Sequence, residues 1–244
     1  SVGAFRDIGV QVFDWFDYLG WEHTYAAMIG NGNGLNRTDN NNEKDYYLYW
    51  ASEKVFDNSR GARRQGWKLF GWYLKGERTL EFVNGVAGDQ DFDRERWGFG
   101  TTYRKGKLRG SAEYIKADGM IFNGTDGGAV PGEIGSNGAT ASFNIVPEGR
   151  ADGWYLDLGY RVLPKLELDV RYDYLDRLKN NDAQEREFDT LTLGAQWFFN
   201  KKTRALVNYE IRDGKAPNAP SAAVPNQILD ELDNRLTVQL LAIF

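Results

Sequence analysis

The chain has 244 residues, a net charge of −5 and a pI near 5.1. That acidic balance excludes a nucleic-acid binder acting through an overall basic surface. The absence of cysteine excludes disulfides and thiolate metal sites. Mean hydropathy is −0.58, and no apolar run approaches the roughly 18 residues of a membrane helix. Any membrane crossing must therefore use strands.

In chain order, alternating sequence predicts about eleven strands, near 4–14, 21–30, 45–56, 62–75, 94–104, 108–117, 153–162, 166–176, 188–199, 204–212 and 234–244. Near 62–75 the alternation is ambiguous. Trp67, Leu69 and Tyr73 share one face, but Phe70, Trp72 and Leu74 make the other equally apolar. The strand near 94–104 alternates Trp97, Phe99, Thr101 and Tyr103 with Arg96, Gly98, Gly100 and Arg104. The clearest pattern begins at Trp154, where Trp154, Leu156, Leu158 and Tyr160 oppose Tyr155, Asp157, Gly159 and Arg161. After a turn at Pro164-Lys165, Leu168, Val170 and Tyr172 oppose Glu167, Asp169, Arg171 and Asp173. A helix would scatter these charges, whereas a strand places them on one side.

The connections alternate as well. Short links fall at 105–107, 163–165 and 200–203, and long polar ones at 31–44, 76–93, 118–152, 177–187 and 213–233. A soluble sandwich also alternates. Here, however, Trp and Tyr cluster toward the ends of the apolar faces, as an interfacial girdle requires, and the opposite faces carry charge in mid-strand. The expected fold is an all-β, antiparallel transmembrane barrel in the outer membrane of a Gram-negative bacterium, with the long loops outside. Its outward face would meet outer-membrane lipid. Eleven strands is an odd number, so the chain is expected to be the C-terminal part of a single barrel domain whose first strands precede Ser1.

By parity, the inward face should carry Arg94, Arg96, Arg104, Arg109, Arg161, Arg171, Arg212 and Arg235, together with Glu113, Asp157, Glu167, Asp169, Asp173 and Glu210. The two signs nearly balance. Arg94, Arg96, Arg104 and Arg109 are expected to form a basic strip, faced by an acidic strip of Asp157, Glu167, Asp169 and Asp173.

Arg6-Asp7-Ile8-Gly9-Val10-Gln11, Ile29-Gly30-Asn31-Gly32-Asn33-Gly34-Leu35-Asn36 and Asp39-Asn40-Asn41-Asn42-Glu43-Lys44-Asp45 resemble the middle region of the phosphate-selective porin O/P family. The resemblance implies a 16-stranded barrel, usually a homotrimer, passing small anions along inward arginines, with a constriction loop upstream of residue 1. The terminal Leu236, Val238, Leu240, Ala242 and Phe244 resemble the signal read by the outer-membrane assembly machinery.

The expected function is a water-filled channel for passive diffusion of small hydrophilic solutes, with a phosphate-type anion preference. The alternative is a structural sheath around a partner such as an electron conduit. Neither needs a cofactor. His23, the one histidine, shares its face with Trp21 and Tyr25, as an interfacial residue rather than a catalytic one. Gly30-Asn31-Gly32-Asn33-Gly34 precedes no helix pattern, so it reads as a turn rather than a nucleotide loop. Asp39, Asn41, Glu43 and Asp45 have the oxygen spacing of a calcium loop, but Lys44 stands where such a loop needs glycine. No metal is expected.

Overall fold

The computed structural model describes residues 7–32, 43–61, 64–80, 90–123, 133–134, 140–141, 145–200 and 202–242. The elements are β1 (Gly9–Tyr18), β2 (Trp21–Gly30), β3 (Asp45–Val55), β4 (Gly66–Leu80), β5 (Gln90–Lys105), β6 (Leu108–Asp118), β7 (Ile121–Phe122), β8 (Glu133–Ile134), β9 (Thr140–Ala141), β10 (Ile145–Val146), β11 (Arg150–Leu163), β12 (Leu166–Arg177), β13 (Arg186–Phe198), β14 (Thr203–Lys215), α1 (Val224–Leu229) and β15 (Arg235–Ala242). Eleven of the strands form one antiparallel sheet in the order β1-β2-β3-β4-β5-β6-β11-β12-β13-β14-β15, with β1 and β15 as its edges. The antiparallel order puts the connections 31–44, 81–89, 119–149, 178–185 and 216–234 at one end, and the turns at 19–20, 106–107, 164–165 and 199–202 at the other, together with the longer link 56–65.

Nine of the eleven expected strands have their predicted place to within a few residues, and the first and fourth are displaced toward the C-terminus. The first is displaced from 4–14 to Gly9–Tyr18. It closes onto β2 through the two-residue turn Leu19-Gly20, whose φ angles are +52° and +72°. Positive φ at both positions matches the right-handed strand twist of a tight hairpin. Leucine supplies no turn signal there, and apolar residues on both faces of β1 mask the alternation. β4 and β5 run past the predicted limits into a loop expected at 76–93, pairing out to Leu80 and Gln90. Apolar alternation ends near Leu74, but the backbone ladder needs no apolar side chains and carries on, with Lys75 opposite Glu95.

One face of the sheet is apolar and exposed. Leu156, Leu158, Leu168, Val170, Leu193 and Val207 leave 40–49% of their surface open. Aromatic clusters flank this band at both ends. Toward the long connections Trp154 packs on Tyr172 at 5.3 Å and Trp97 on Tyr114 at 5.6 Å. Toward the turns Trp21 meets Trp67 at 5.8 Å, and His23 stacks on Phe16 at 5.1 Å. The His23 ring is held by Ser52 Oγ at 2.9 Å from Nδ1. Two aromatic belts bracketing an aliphatic band is the arrangement that matches a bilayer slab. β4 resolves its ambiguity: Trp67 and Leu69 lie on this exposed face, and Phe70 and Trp72 on the other.

At the loop end, the connection from β6 to β11 folds back onto the sheet. Ile121, Ala151 and Leu178 form a small buried cluster with Ala117 and Val146 beside it. Lys179 reaches Asp152, a hydrogen bond that raises its pKa above the ordinary lysine value. In the last connection, buried Asn226 of α1 accepts from the Ala216 N–H at 2.7 Å and donates to the carbonyls of Ala216, Ala219 and Pro220.

A charged inner face as candidate pore wall

The less exposed face, here the inner face, carries the charged residues that parity assigned to it. Following Cα partners across the strands divides it into rows. One row passes from Asp17 through Glu22, Glu53 and Lys68 to Thr102 and Ser111. It continues through Asp157, Arg171 and Thr192 to Glu210 and Arg235. Every member is polar. β11, β12 and β14 bear Asp157, Arg171 and Glu210 near mid-length, directly behind the aliphatic band, while Asp17, Glu22 and Glu53 lie toward the turns and Arg235 opens β15.

A hub forms around Arg109 in β6. Its Nε donates to Glu167 Oε1 at 2.6 Å, and its two terminal nitrogens bond Asp157 and Asp169. The guanidinium reaches β12 by crossing over Gly159, where an added Cβ would meet Arg109 Nε and Asp169 Oδ1 at 2.6 Å. Gln196 continues the network, donating to Asp169 at 2.8 Å and accepting from Arg204 at 3.0 Å. Arg161 approaches Glu167 at 3.6 Å and lies over the Phe198 ring. The expected pair of separate basic and acidic strips is therefore corrected. Glycine at 159 lets the arginine of one hairpin meet the carboxylates of the next.

The expected basic strip also breaks at its other end. Arg96 donates to the carbonyls of Asp118, Gly119 and Met120 at 2.7, 2.7 and 3.0 Å. That work anchors the start of the long connection after β6. Arg94 and Arg78 both face Asp45, which is 1% exposed. Arg78 grips it with two nitrogens at 2.8 and 2.7 Å, and Arg94 stands 3.9 Å away. Tyr47 completes the cluster, its hydroxyl donating to Asp45 at 3.0 Å and to Asp7 at 3.2 Å. Asp45, a candidate oxygen ligand by its spacing, is thus an anchor for Arg78, which takes a lone pair on each carboxylate oxygen, with Arg94 adding its charge nearby. Asp39 and Asn41 lie outside the described residues, and Glu43 lies at the start of the segment leading into β3.

The remaining predicted charges pair locally. Arg171 bonds Asp173 at 2.6 Å and lies over the Tyr155 ring at 4.0 Å. Arg235 pairs with Glu210 at 2.8 Å, and Arg212 donates to the Asp233 carbonyl at 2.8 Å. Glu113 accepts from Trp72 Nε1 at 2.8 Å. Arg104 has a different setting, lining two cavities of the inner face. One, of about 400 Å3, also has Arg64, Lys68 and Glu53 in its wall. The other, of about 300 Å3, has Arg204 and Glu167. Of the terminal pattern, Leu236, Val238 and Leu240 are exposed on the apolar face of β15 and Ala242 ends that strand. Phe244 lies outside the described residues.

Residues 84–229, well over half of the chain, match the family described as phosphate-selective porin O and P. The chain belongs to that family. The matched span begins beyond the residue 6–45 motifs on which the resemblance was first drawn. No curated protein sequence matches the chain. Among solved structures it is similar to OmpTdeltaL8, a loop L8 deletion mutant of the Vibrio cholerae outer membrane protein OmpT, with a TM-score of 0.50 and 11% identity over 84% of this chain. In-vitro folded OmpT itself gives a TM-score of 0.49 and 12% identity over 84% of this chain. The chain spans 57% and 53% of those two structures. At such identity the likeness concerns the fold.

Within this porin-family wall, Arg204 and Gln196 lie on the polar face where alternation puts them, whereas Arg78 and Lys68 belong to the charged inner face without a parity signal. Arg78 lies in the extension of β4 beyond its apolar pattern. Lys68 sits on the strand whose faces could not be told apart.

Proposed function

We propose that this chain forms most of the wall of an outer-membrane porin, a water-filled channel through which small hydrophilic solutes diffuse. The observation that carries the reading is the two-sidedness of the sheet: a bare aliphatic band between aromatic belts, and charges at the same depth behind it. Charge in mid-strand is tolerable only where the inner side is wet, because dry burial of an ion costs several kcal/mol. Completion to 16 strands and assembly as a homotrimer belong to the same proposal, as do chain recognition by the assembly machinery and a purely non-enzymatic role.

Anion preference, phosphate included, is the finer part of the proposal. Most inner arginines are neutralised or tied to carbonyls, so the preference is expected to centre on Arg104 and its neighbours. Arg64, Lys68, Arg109 and Arg204 surround its two cavities against Glu53 and Glu167. Reversal potentials in a KCl gradient across planar bilayers test this. Arg104→Ala should shift the potential toward cations, and the shift should shrink near 1 M salt, where the screening length falls to about 3 Å. An unchanged potential at low salt would remove Arg104 from the ion path.

A further inference from the structure

Four residues along the strands from the charged row runs a row of opposite character. Phe13 pairs with Ala26, Ala26 with Tyr49, and Tyr49 with Trp72. Beyond Trp72 the row continues through Gly98, Ile115 and Gly153 to Leu175 and Phe188. Nine inner-face positions in succession thus carry no charge, on the side of the sheet that is otherwise charged. Phe13, on the edge strand, is 70% exposed and Leu175 43%, and the other members are half-buried apart from buried Gly98, so the row is not a packed core.

Glycines shape it. A Cβ at Gly98 would meet three atoms of the Trp72 indole at 2.9 Å, so the ring lies flat across β5. Its Nε1 is fixed by Glu113 on the next strand. A Cβ at Gly100 would likewise meet Phe70 Cζ at 2.6 Å, so a second ring lies across the same strand. Trp72 therefore has one face on the wall and one toward the inner space, while the Lys68 ammonium stands over the Phe70 ring at 5.4 Å. Two concavities open on the row. One, of about 350 Å3, is lined by Tyr49, Trp72, Met28 and Gln11, and the other, of about 490 Å3, by Ile115, Tyr155, Leu175 and Phe188.

The row runs perpendicular to the strands, so in a tilted barrel it climbs. Eight steps of about 4.8 Å at a tilt of roughly 40° carry it about 25 Å along the axis, the height of the lipid-facing band. It begins at mid-strand, beside Tyr25 in β2 and Trp50 in β3, and ends beside the long connections at Phe188.

We infer that this diagonal row is a slide for chains of sugar rings, which stack their flat, partly apolar faces on it. The inference rests on the pore reading. The row is elongated, which suits a linear oligomer better than a compact ion. Ring faces provide stacking surfaces of the kind that flat ligands use. The flanking polar groups include both donors and acceptors: Gln11 and Arg177 on one side, Thr24, Glu113, Asp173 and Thr190 on the other. Hydroxyls need both kinds, whereas an anion needs donors alone.

The test is single-channel recording of the full-length porin in KCl, with a linear glucose hexamer added to one side. The expected result is brief, concentration-dependent current blockades. Trp72→Ala should raise the half-blocking concentration about tenfold, the usual worth of one stacked ring. Trp72→Phe, which keeps one aromatic ring while losing the pyrrole ring and the Glu113 hydrogen bond, should retain most of the blockade and so separates stacking from misfolding. Open channels that the hexamer never blocks, or that Trp72→Ala blocks as well as the parent, would overturn the slide while leaving the pore intact. Blockade by benzoate with none by the hexamer would overturn the sugar assignment. Failure to form any channel would overturn both readings.

Discussion

Replacing Asp45 with alanine is expected to cost about 3–5 kcal/mol of stability, the range for removing one partner of a buried ion pair. Asp45 is 1% exposed and faces two guanidiniums, one bidentate, that are themselves about nine-tenths buried. Without the carboxylate, Arg78 and Arg94 face each other across β4 and β5 with like charges, and Tyr47 loses an acceptor. Asp45→Asn should cost nearly as much, because it keeps the volume and removes the charge. Urea titration of the barrel refolded in lipid, followed by tryptophan fluorescence, measures both. A loss below about 1 kcal/mol, typical of an exposed pair, would mean that water reaches the cluster and screens it.

Arg109→Ala should have the next largest effect, about 3 kcal/mol, at the low end of the buried range because the hub adjoins inner-face cavities. Three carboxylates, Asp157, Glu167 and Asp169, lose their common partner. Arg161 and Arg104 stay near Glu167 and soften the loss. The mechanism predicts strong coupling in a double-mutant cycle. Arg109→Met combined with Glu167→Gln should recover much of the stability lost in Arg109→Met alone, since an unpaired charge costs more than an absent pair. Arg171→Ala is the contrast. Its pair with Asp173 is about 39% and 37% exposed, so little more than the stacking on Tyr155 is lost. Additive behaviour of Arg109 and Glu167 would show that their contact does no more than a surface bridge.

The sequence and the structure agree where only one face of a strand is apolar. β11 and β12 are legible to within three residues because Leu156, Leu158, Leu168 and Val170 alternate with charge. Agreement fails on β1 and stalls on β4, and both failures have one cause. Phe13 in β1 and Phe70 and Trp72 in β4 are inner-face aromatics belonging to the apolar row and its flank. A period of two is invisible when both faces are apolar. The positions at which alternation could not choose a face are thus the positions at which the wall departs from an ordinary polar lumen.

Charge pairing was less legible still. Parity assigned Arg94, Arg96, Arg104 and Arg109 to one face, and the register agrees. It could not foresee that Arg109 reaches across a glycine to the next hairpin, or that Arg96 spends its donors on four carbonyls. Those outcomes depend on cross-strand register and on space left by Gly159, neither of which is a property of one strand. The link from Asp45 to Arg78 spans 33 residues of sequence and joins a strand start to an extension beyond the apolar pattern.

The central claim is that one face of this sheet meets lipid and the other meets water. The chain contains no cysteine, so single cysteines can be introduced without background. Ser111 and Thr192 lie in the charged inner row, and Leu158 and Val170 in the aliphatic band. In protein inserted into lipid vesicles, a charged, water-soluble maleimide should label Ser111→Cys and Thr192→Cys within minutes. It should leave Leu158→Cys and Val170→Cys unlabelled until the bilayer is dissolved and the chain denatured. Rapid labelling at 158 and 170 with protection at 111 and 192 would contradict the account.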